Sequence, residues 1–336
     1  MTLPASGIIN LSDIQTEFGG ANPIGLSEYY RGGAYTTSNN TNVPTSGAIS
    51  ISNFYGAVSQ FAFIISANTQ EANLNTLATA AGWDGSAPVV ATISSGVYLW
   101  SDDTANPGLL INIANCTISN NGNIIGKGGG AGVAGGPAIS VTEAGVVITN
   151  NSGAYIAGGG GGGGQGYGQV TDGTITWTCG GGGGAGGGNG GSGFWYNSRN
   201  STSASTQGDT SGGTIGLAGS TPAALNSFTG SGTTYASLAT GQGGGSGGGG
   251  GLQANQTMSS GGGGGRILPG VGGSVNASGG SAGAVGSASG SHGGGGGGWG
   301  AAGGSGSGGA GGAGGAAISG TSPTLTNSGT IYGSTV

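Results

Sequence analysis

The first 57 residues carry a four-residue pattern three times: an apolar residue, a serine, a polar residue and a large apolar one. It reads Leu11-Ser12-Asp13-Ile14, Leu26-Ser27-Glu28-Tyr29 and Ile51-Ser52-Asn53-Phe54. Each copy predicts a helix start, with the serine hydroxyl accepting from free backbone N–H groups and Asp13 or Glu28 complementing the helix dipole. Gly19, Gly32 and Gly56 stop the turns. Residues 1–58 are therefore expected to form a small helical module whose Phe18, Tyr29, Tyr30, Phe54 and Tyr55 supply most of the buried area. So short a segment buries little surface alone and needs a partner, which makes those five aromatics candidates for attachment to a larger assembly.

A different periodicity follows. Phe61-Ala62-Phe63-Ile64-Ile65 predicts a strand, and Asn68 with Glu71 resembles a capping box opening a helix through Ala72, Leu74, Leu77, Ala78 and Ala81, closed by Gly82. Residues 88–93 and 97–100 predict a hairpin around Ser94-Ser95-Gly96. Residues 59–113 are thus expected to be a small α+β connector domain.

From residue 114 the chain repeats itself. Thr117-Ile118-Ser119-Asn120-Asn121-Gly122-Asn123-Ile124 recurs as Val147-Ile148-Thr149-Asn150-Asn151 running to Ile156, and as Thr324-Leu325-Thr326-Asn327 running to Ile331. Ala138-Ile139-Ser140 and Ala317-Ile318-Ser319 precede the last two copies at nearly matching distances, so a unit of about twenty residues is duplicated. Each copy, with β-branched residues on both sides of an Asn/Gly turn, predicts a β-hairpin. Between the copies lie glycine runs at 158–164, 180–184, 247–251, 261–265 and 293–298, and a Gly/Ala/Ser stretch over 301–317.

Composition explains what those runs must do. Of 336 residues, 91 are glycine, with only 4 basic and 10 acidic side chains and a net charge of −6. An ordinary globular enzyme has about 7% glycine and about 25% charged residues. Collagen needs glycine at every third position and much proline, whereas this chain holds 9 prolines and unbroken glycine runs. A flexible linker is the ordinary reading of glycine tracts, but Tyr167, Ile267, Leu268 and Trp299 stand inside them. Ordering a glycine costs ~1–2 kcal/mol of backbone entropy. A hydrogen bond returns about 1 kcal/mol, so only a slab that satisfies nearly every backbone group can hold together. Extended threefold helices packed laterally meet that condition, since they have no internal hydrogen bonds and glycine allows close approach. The expected fold is therefore mixed: a helical module, an α+β domain, then a polyglycine-II helix sandwich with flanking β-hairpins over 114–336.

The same residues resemble a known family, the glycine-rich receptor-binding adhesins and tail-fibre proteins of tailed bacteriophages. The matching features are the glycine runs over about 126–317, the leader Leu11-Ser12-Asp13-Ile14-Gln15-Thr16-Glu17-Phe18-Gly19-Gly20 with Leu26-Ser27-Glu28-Tyr29-Tyr30-Arg31, and the ending Asn327-Ser328-Gly329-Thr330-Ile331-Tyr332-Gly333. In the tip adhesins of T-even-like phages, glycine motifs form a sandwich of polyglycine-II helices and variable segments between them contact the receptor. Residues 61–100 are not part of that pattern. The resemblance implies a virion protein, assembled in the host cytoplasm, that joins other tail proteins and recognises a bacterial polysaccharide or outer-membrane protein without breaking bonds.

Little in the chain points to catalysis. The many Gly-x-Gly-x-x-Gly matches follow from composition, His292 has no acid or cysteine beside it, and Asp102-Asp103 reads as a solvated turn. No enzyme activity, cofactor or metal is expected. Four basic residues are too few to neutralise phosphates, so nucleic acid is an unsuitable partner. No apolar stretch approaches the ~20 residues of a spanning helix, and residues 1–20 lack a secretory pattern. Cys116 and Cys179 are read as free thiols.

Binding residues are sought where aromatics cluster outside a core. Phe194, Trp195, Tyr196 and Arg199 form the densest such cluster, of residue types that either anchor interfaces at the tip or fold back to seal the rim of the glycine slab. Trp177, Phe228, Tyr235 and Met258 follow, while Trp299 and Tyr167 are expected to pack against the slab. Three other readings compete with receptor binding: a structural fibre or baseplate subunit touching other virion proteins, an ice-binding or cell-wall glycine protein, and a carbohydrate-cleaving spike. The second needs a flat, regular Ser/Thr face that the irregular segments do not offer.

Overall fold

The computed structural model describes residues 3–36, 40–85, 87–169, 175–179, 182–189, 193–197, 202–206, 228–230, 233–235 and 293–336. The N-terminal module contains α1 (Leu11–Phe18) and two single 3-10 turns, Leu26–Tyr29 and Ile51–Phe54, one for each copy of the sequence pattern. The caps sit two residues earlier than expected. Asn10, Gly25 and Ser50 are the N-caps, and the polar third residue of each copy reaches back to the cap N–H: Asp13 to Asn10 at 2.8 Å, Glu28 to Gly25 at 2.9 Å and Asn53 to Ser50 at 2.8 Å. The three serines are inside the turns. Gly19, Gly32 and Gly56 take φ of 80°, 78° and 70°, the left-handed conformation that ends a turn without a Cβ clash. Phe18, Tyr29 and Phe54 meet at centroid distances of 6.1 to 6.3 Å inside an apolar cluster completed by Leu3, Ile9, Ile14 and Val43.

After residue 60 the chain winds. The first coil is β1 (Phe61–Ile65), β2 (Thr69–Gln70) and β3 (Ala72–Asn73), followed by α2 (Leu74–Ala80). The second is β4 (Val89–Ile93), β5 (Tyr98–Trp100) and β6 (Leu109–Ile111). The third is β7 (Thr117–Asn120), β8 (Asn123–Ile125) and β9 (Ile139–Val141). The fourth opens with β10 (Val147–Asn150) and β11 (Tyr155–Ala157). It then carries a long excursion containing β12 (Gly166–Gln169), β13 (Ile175–Cys179), β14 (Gly193–Asn197), β15 (Thr202–Thr206), β16 (Phe228–Gly230) and β17 (Thr233–Tyr235), and closes with β18 (Ile318–Gly320). β19 (Thr324–Asn327) and β20 (Thr330–Tyr332) begin a fifth coil.

Every strand of a coil pairs in parallel with its counterpart in the next. The three resulting sheets are β1-β4-β7-β10-β19, β2-β5-β8-β11-β20 and β3-β6-β9-β18. Among the described residues the fold is thus mostly parallel sheet with two α-helices. The interior is a ladder of Ile, Leu, Val and Ala, including Ile93, Leu99, Ile111, Ile118, Ile139, Ile148 and Ile318, all fully buried. Each coil alone would leave its inward face wet, and stacking removes that surface from water, as in repeat proteins generally.

This solenoid corrects three expectations. The Asn-Gly segments are corners between two sheets and not hairpin turns: β7 and β8 never pair with each other, and Ile118 stands beside Ile148 and Ile148 beside Leu325 in register. The same holds at Ser94-Ser95-Gly96, which joins β4 to β5 across a corner. The capping box is also misplaced, since α2 is capped by the Asn73 side chain accepting from Thr76 N–H at 3.1 Å, while Glu71 lies outside it at φ 47°. Finally, residue 113 separates no domains. Strands on both sides of it pair, β4 with β7, β5 with β8 and β6 with β9, and they share one core.

The glycine segments leave the solenoid at the corner between its second and third sheets, where β8 runs into Gly126 and β11 into Gly158. Residues 158–164 lie at the centre of the glycine block. Their N–H groups donate in turn to Tyr332, Gly136, Ala185, Ala301, Val133, Gly182 and Gly304, and their carbonyls accept from Gly300, Gly315, Gly129, Gly297, Gly312, Gly132 and Gly294, all at 2.7 to 2.9 Å. The partners repeat every third residue. Gly159 and Gly162 both donate to the segment 133–136, Gly160 and Gly163 to 182–185, and Gly161 and Gly164 to 301–304. On the acceptor side the same three pairs address 312–315, 129–132 and 294–297. Six neighbours therefore surround one rod, and none of its backbone groups is left without a partner. Side chains are excluded by distance: a Cβ on Gly162 would lie 1.7 Å from the Gly130 oxygen.

Candidate functional site

Two long excursions from the glycine block hold most of the aromatic residues singled out by sequence. The central rod passes through Gln165 directly into β12, so the four-stranded antiparallel sheet β12–β15 is rooted on that rod. The register aligns Gly168, Trp177, Trp195 and Ala204 in one row across the sheet. The next rows align Gln169, Thr176, Tyr196 and Ser203, and Tyr167, Thr178, Phe194 and Ser205. Trp177 and Trp195 thus share one row of the register, with Phe194 and Tyr196 in the rows on either side of it. Phe228 and Tyr235 stand opposite each other in a two-stranded hairpin, β16 with β17. Arg199 and Met258 lie outside the described residues.

Of the expected slab-packing residues, Trp299 is fully buried, in a cluster with Ile125, Ala157 and Ala185 at the junction of the second sheet and the glycine block. Tyr167 instead is 51% exposed, its backbone held by Ser307 through a bond to the Tyr167 N–H at 3.0 Å and one to its carbonyl at 3.2 Å. The attachment candidates divide as well. Phe18, Tyr29 and Phe54 are consumed by the module's own core, whereas Tyr30 and Tyr55 are half-buried with hydroxyls donating to the Gly47 and Gly7 carbonyls. Sequence reasoning missed Ile8, which is 87% exposed in the same module. A lone apolar residue next to a buried one gives no signal until the partner-facing side is known.

The electrostatics around these elements are sparse. Asp103 closes a local turn, its carboxylate accepting from Ala105 N–H at 3.0 Å and its carbonyl from the Ser101 hydroxyl at 2.7 Å, as expected of a turn residue. Cys116 is a free, buried thiol whose pKa is pushed by burial from 9.0 to about 11, so it is inert at neutral pH. Among the described residues no group of three or more His, Cys, Asp and Glu side chains could hold a metal ion, and no helix is long and apolar enough to cross a membrane.

No curated protein matches the chain. Among solved structures, the gp37-gp38 adhesin tip complex of the long tail fibre of bacteriophage S16 contains a similar chain at 22% identity. The alignment covers 89% of this chain and 91% of that one, with a TM-score of 0.45. The model of a protein family, phage tail fibre adhesin Gp38, matches residues 60–245. The match begins just before β1, so residues 61–100, expected to fall outside the adhesin pattern, are part of it. With more than half of its length matched, the chain belongs to the phage tail fibre adhesin Gp38 family.

Proposed function

We propose that this adhesin recognises a molecule of the bacterial surface, a polysaccharide or an outer-membrane protein, noncovalently through the segments emerging from its glycine block. The observation carrying this reading is the rooting of β12 on the 158–164 rod, whose backbone N–H and C=O groups are all hydrogen-bonded. Aromatic residues held on such a base lose little conformational freedom on binding, which preserves affinity. Trp177 and Trp195, paired in register, supply one contact face, with Phe194, Tyr196, Phe228 and Tyr235 as further contacts. Arg199 and Met258 complete the proposed set.

The block is, in this reading, a polyglycine-II helix sandwich. Its support is the three-residue repeat of hydrogen-bond partners, since three residues per turn with all polar groups outward is the geometry of that helix. Residues 1–58 attach the protein to other tail proteins through their outer surface, including Tyr30 and Tyr55. No bond is broken in this mechanism. Replacing Trp195 and Arg199 together by Ala should abolish adsorption to host cells while leaving the melting temperature unchanged. Adsorption at the wild-type level would reject the proposed contact set and favour a structural role in the fibre.

A further inference from the structure

A second feature lies at a different corner of the solenoid, between the third sheet and the first. There α2 and the segment after it fold over the turns that follow β6 and β9, leaving an open groove of about 380 Å³. Trp83, Pro88, Asn112, Asn115 and Glu143 line it. The indole of Trp83 is fixed, because its Nε1–H donates to the Ala87 carbonyl at 2.7 Å and its backbone N–H to Ala78 at 2.9 Å. Asn112 is oriented too: its Oδ1 accepts from Asn75 N–H at 3.1 Å, which leaves the NH₂ as its remaining polar group. Asn115 and Glu143 are exposed at the rim.

We propose that this groove binds a neutral sugar residue. A pyranose ring has an apolar C–H face that suits a fixed aromatic platform, and hydroxyls at its edge that suit amides and a carboxylate. The other polyhydroxylated or charged classes fit less well. An anionic sugar or phosphate would meet the Glu143 carboxylate with no basic side chain in the lining to offset it. A quaternary ammonium group calls for an aromatic cage, and the lining offers one aromatic. The groove is formed by residues 83, 85, 87, 88, 112–115 and 143, none of them in the excursions proposed to contact the receptor. It would give the adhesin a weak second hold on surface glycan.

The test is saturation-transfer NMR on the full chain with methyl glycosides of glucose, galactose and N-acetylglucosamine at millimolar concentration, with choline as a separate probe. At least one glycoside should receive saturation. Its affinity should fall about tenfold in Glu143→Ala, the loss expected for a hydrogen bond to a charged group. Trp83→Ala should abolish the signal. Should Trp83→Ala fail to fold, Glu143→Ala decides, because that side chain is exposed. Silence from every glycoside, equal binding in Glu143→Ala, or binding of choline alone would overturn the proposal. The deciding readout is the part of the glycoside signal lost in Trp83→Ala and Glu143→Ala, which lie outside β12–β15; a signal that both variants leave unchanged rejects the groove whether or not β12–β15 recognise the host.

Discussion

Asn120 Nδ2 donates to Asn150 Oδ1 at 2.8 Å, from one coil to the next, inside the solenoid where both side chains are fully buried. Asn150 Nδ2 continues the ladder to Asn327 Oδ1 at 2.8 Å. The ladder marks the same corner in three successive coils. It fixes register, because a slip by one residue would leave buried amides unpaired. Asn150→Ala should destabilise the protein by about 1–3 kcal/mol, the cost of leaving buried polar groups unsatisfied. Asn327→Ala, at the end of the ladder, should cost less. Urea denaturation of both variants checks the order, and equal effects would remove the ladder's role.

This ladder also shows how far the sequence was legible. The repeat Ile118-Ser119-Asn120, Ile148-Thr149-Asn150 and Leu325-Thr326-Asn327 is visible as text, and it is the coil itself. The repeat alone does not separate the two outcomes, because an Asn/Gly turn between β-branched runs has the same local chemistry at a hairpin and at a solenoid corner. Only pairing across 30 or 177 residues separates them. The glycine segments are approached from the opposite direction. Backbone that has no side chains must satisfy itself laterally, and Gly159 and Gly162 donate to residues three apart, Gly136 and Val133. The sheet holding Trp177 and Trp195 was not legible, since short polar-aromatic runs between glycines carry no alternation long enough to name a strand.

Close approach makes the central rod at 158–164 intolerant of even one methyl group. Gly162→Ala would place Cβ at 1.7 Å from the Gly130 oxygen, and backbone on both sides cannot yield cheaply. Gly309 has open space around its missing Cβ. Thermal melting should drop in Gly162→Ala, by about 1–3 kcal/mol or more at the transition. Gly309→Ala should remain within about 0.5 kcal/mol of wild type.

Cys116 gives a pH dependence with a defined sign. Its thiol pKa is raised from 9.0 to about 11 by burial, so the folded state holds the proton more tightly than the unfolded one. The resulting stabilisation is complete below pH 9.0 and is lost as pH rises towards about 11. Wild type should therefore lose stability over that window relative to Cys116→Val. Parallel stability curves for the two proteins would show that the thiol titrates freely.

Ile8 tests the attachment side. At 87% exposure in the N-terminal module it contributes little to folding of the free chain. Ile8→Asp should melt like wild type yet be incorporated into fibres several-fold less well, scored by quantifying the adhesin in purified virions. Normal incorporation would place attachment elsewhere on the chain.

The central claim is that backbone pairing alone turns the glycine segments into a rigid base. Native-state amide hydrogen exchange on the full chain reads it directly at residues 158–164, whose seven N–H groups all donate. Exchange there should be slowed to the level of the β7 and β10 amides in the solenoid core. Exchange at unstructured-peptide rates through that run would contradict the rigid base and, with it, the proposed mode of recognition.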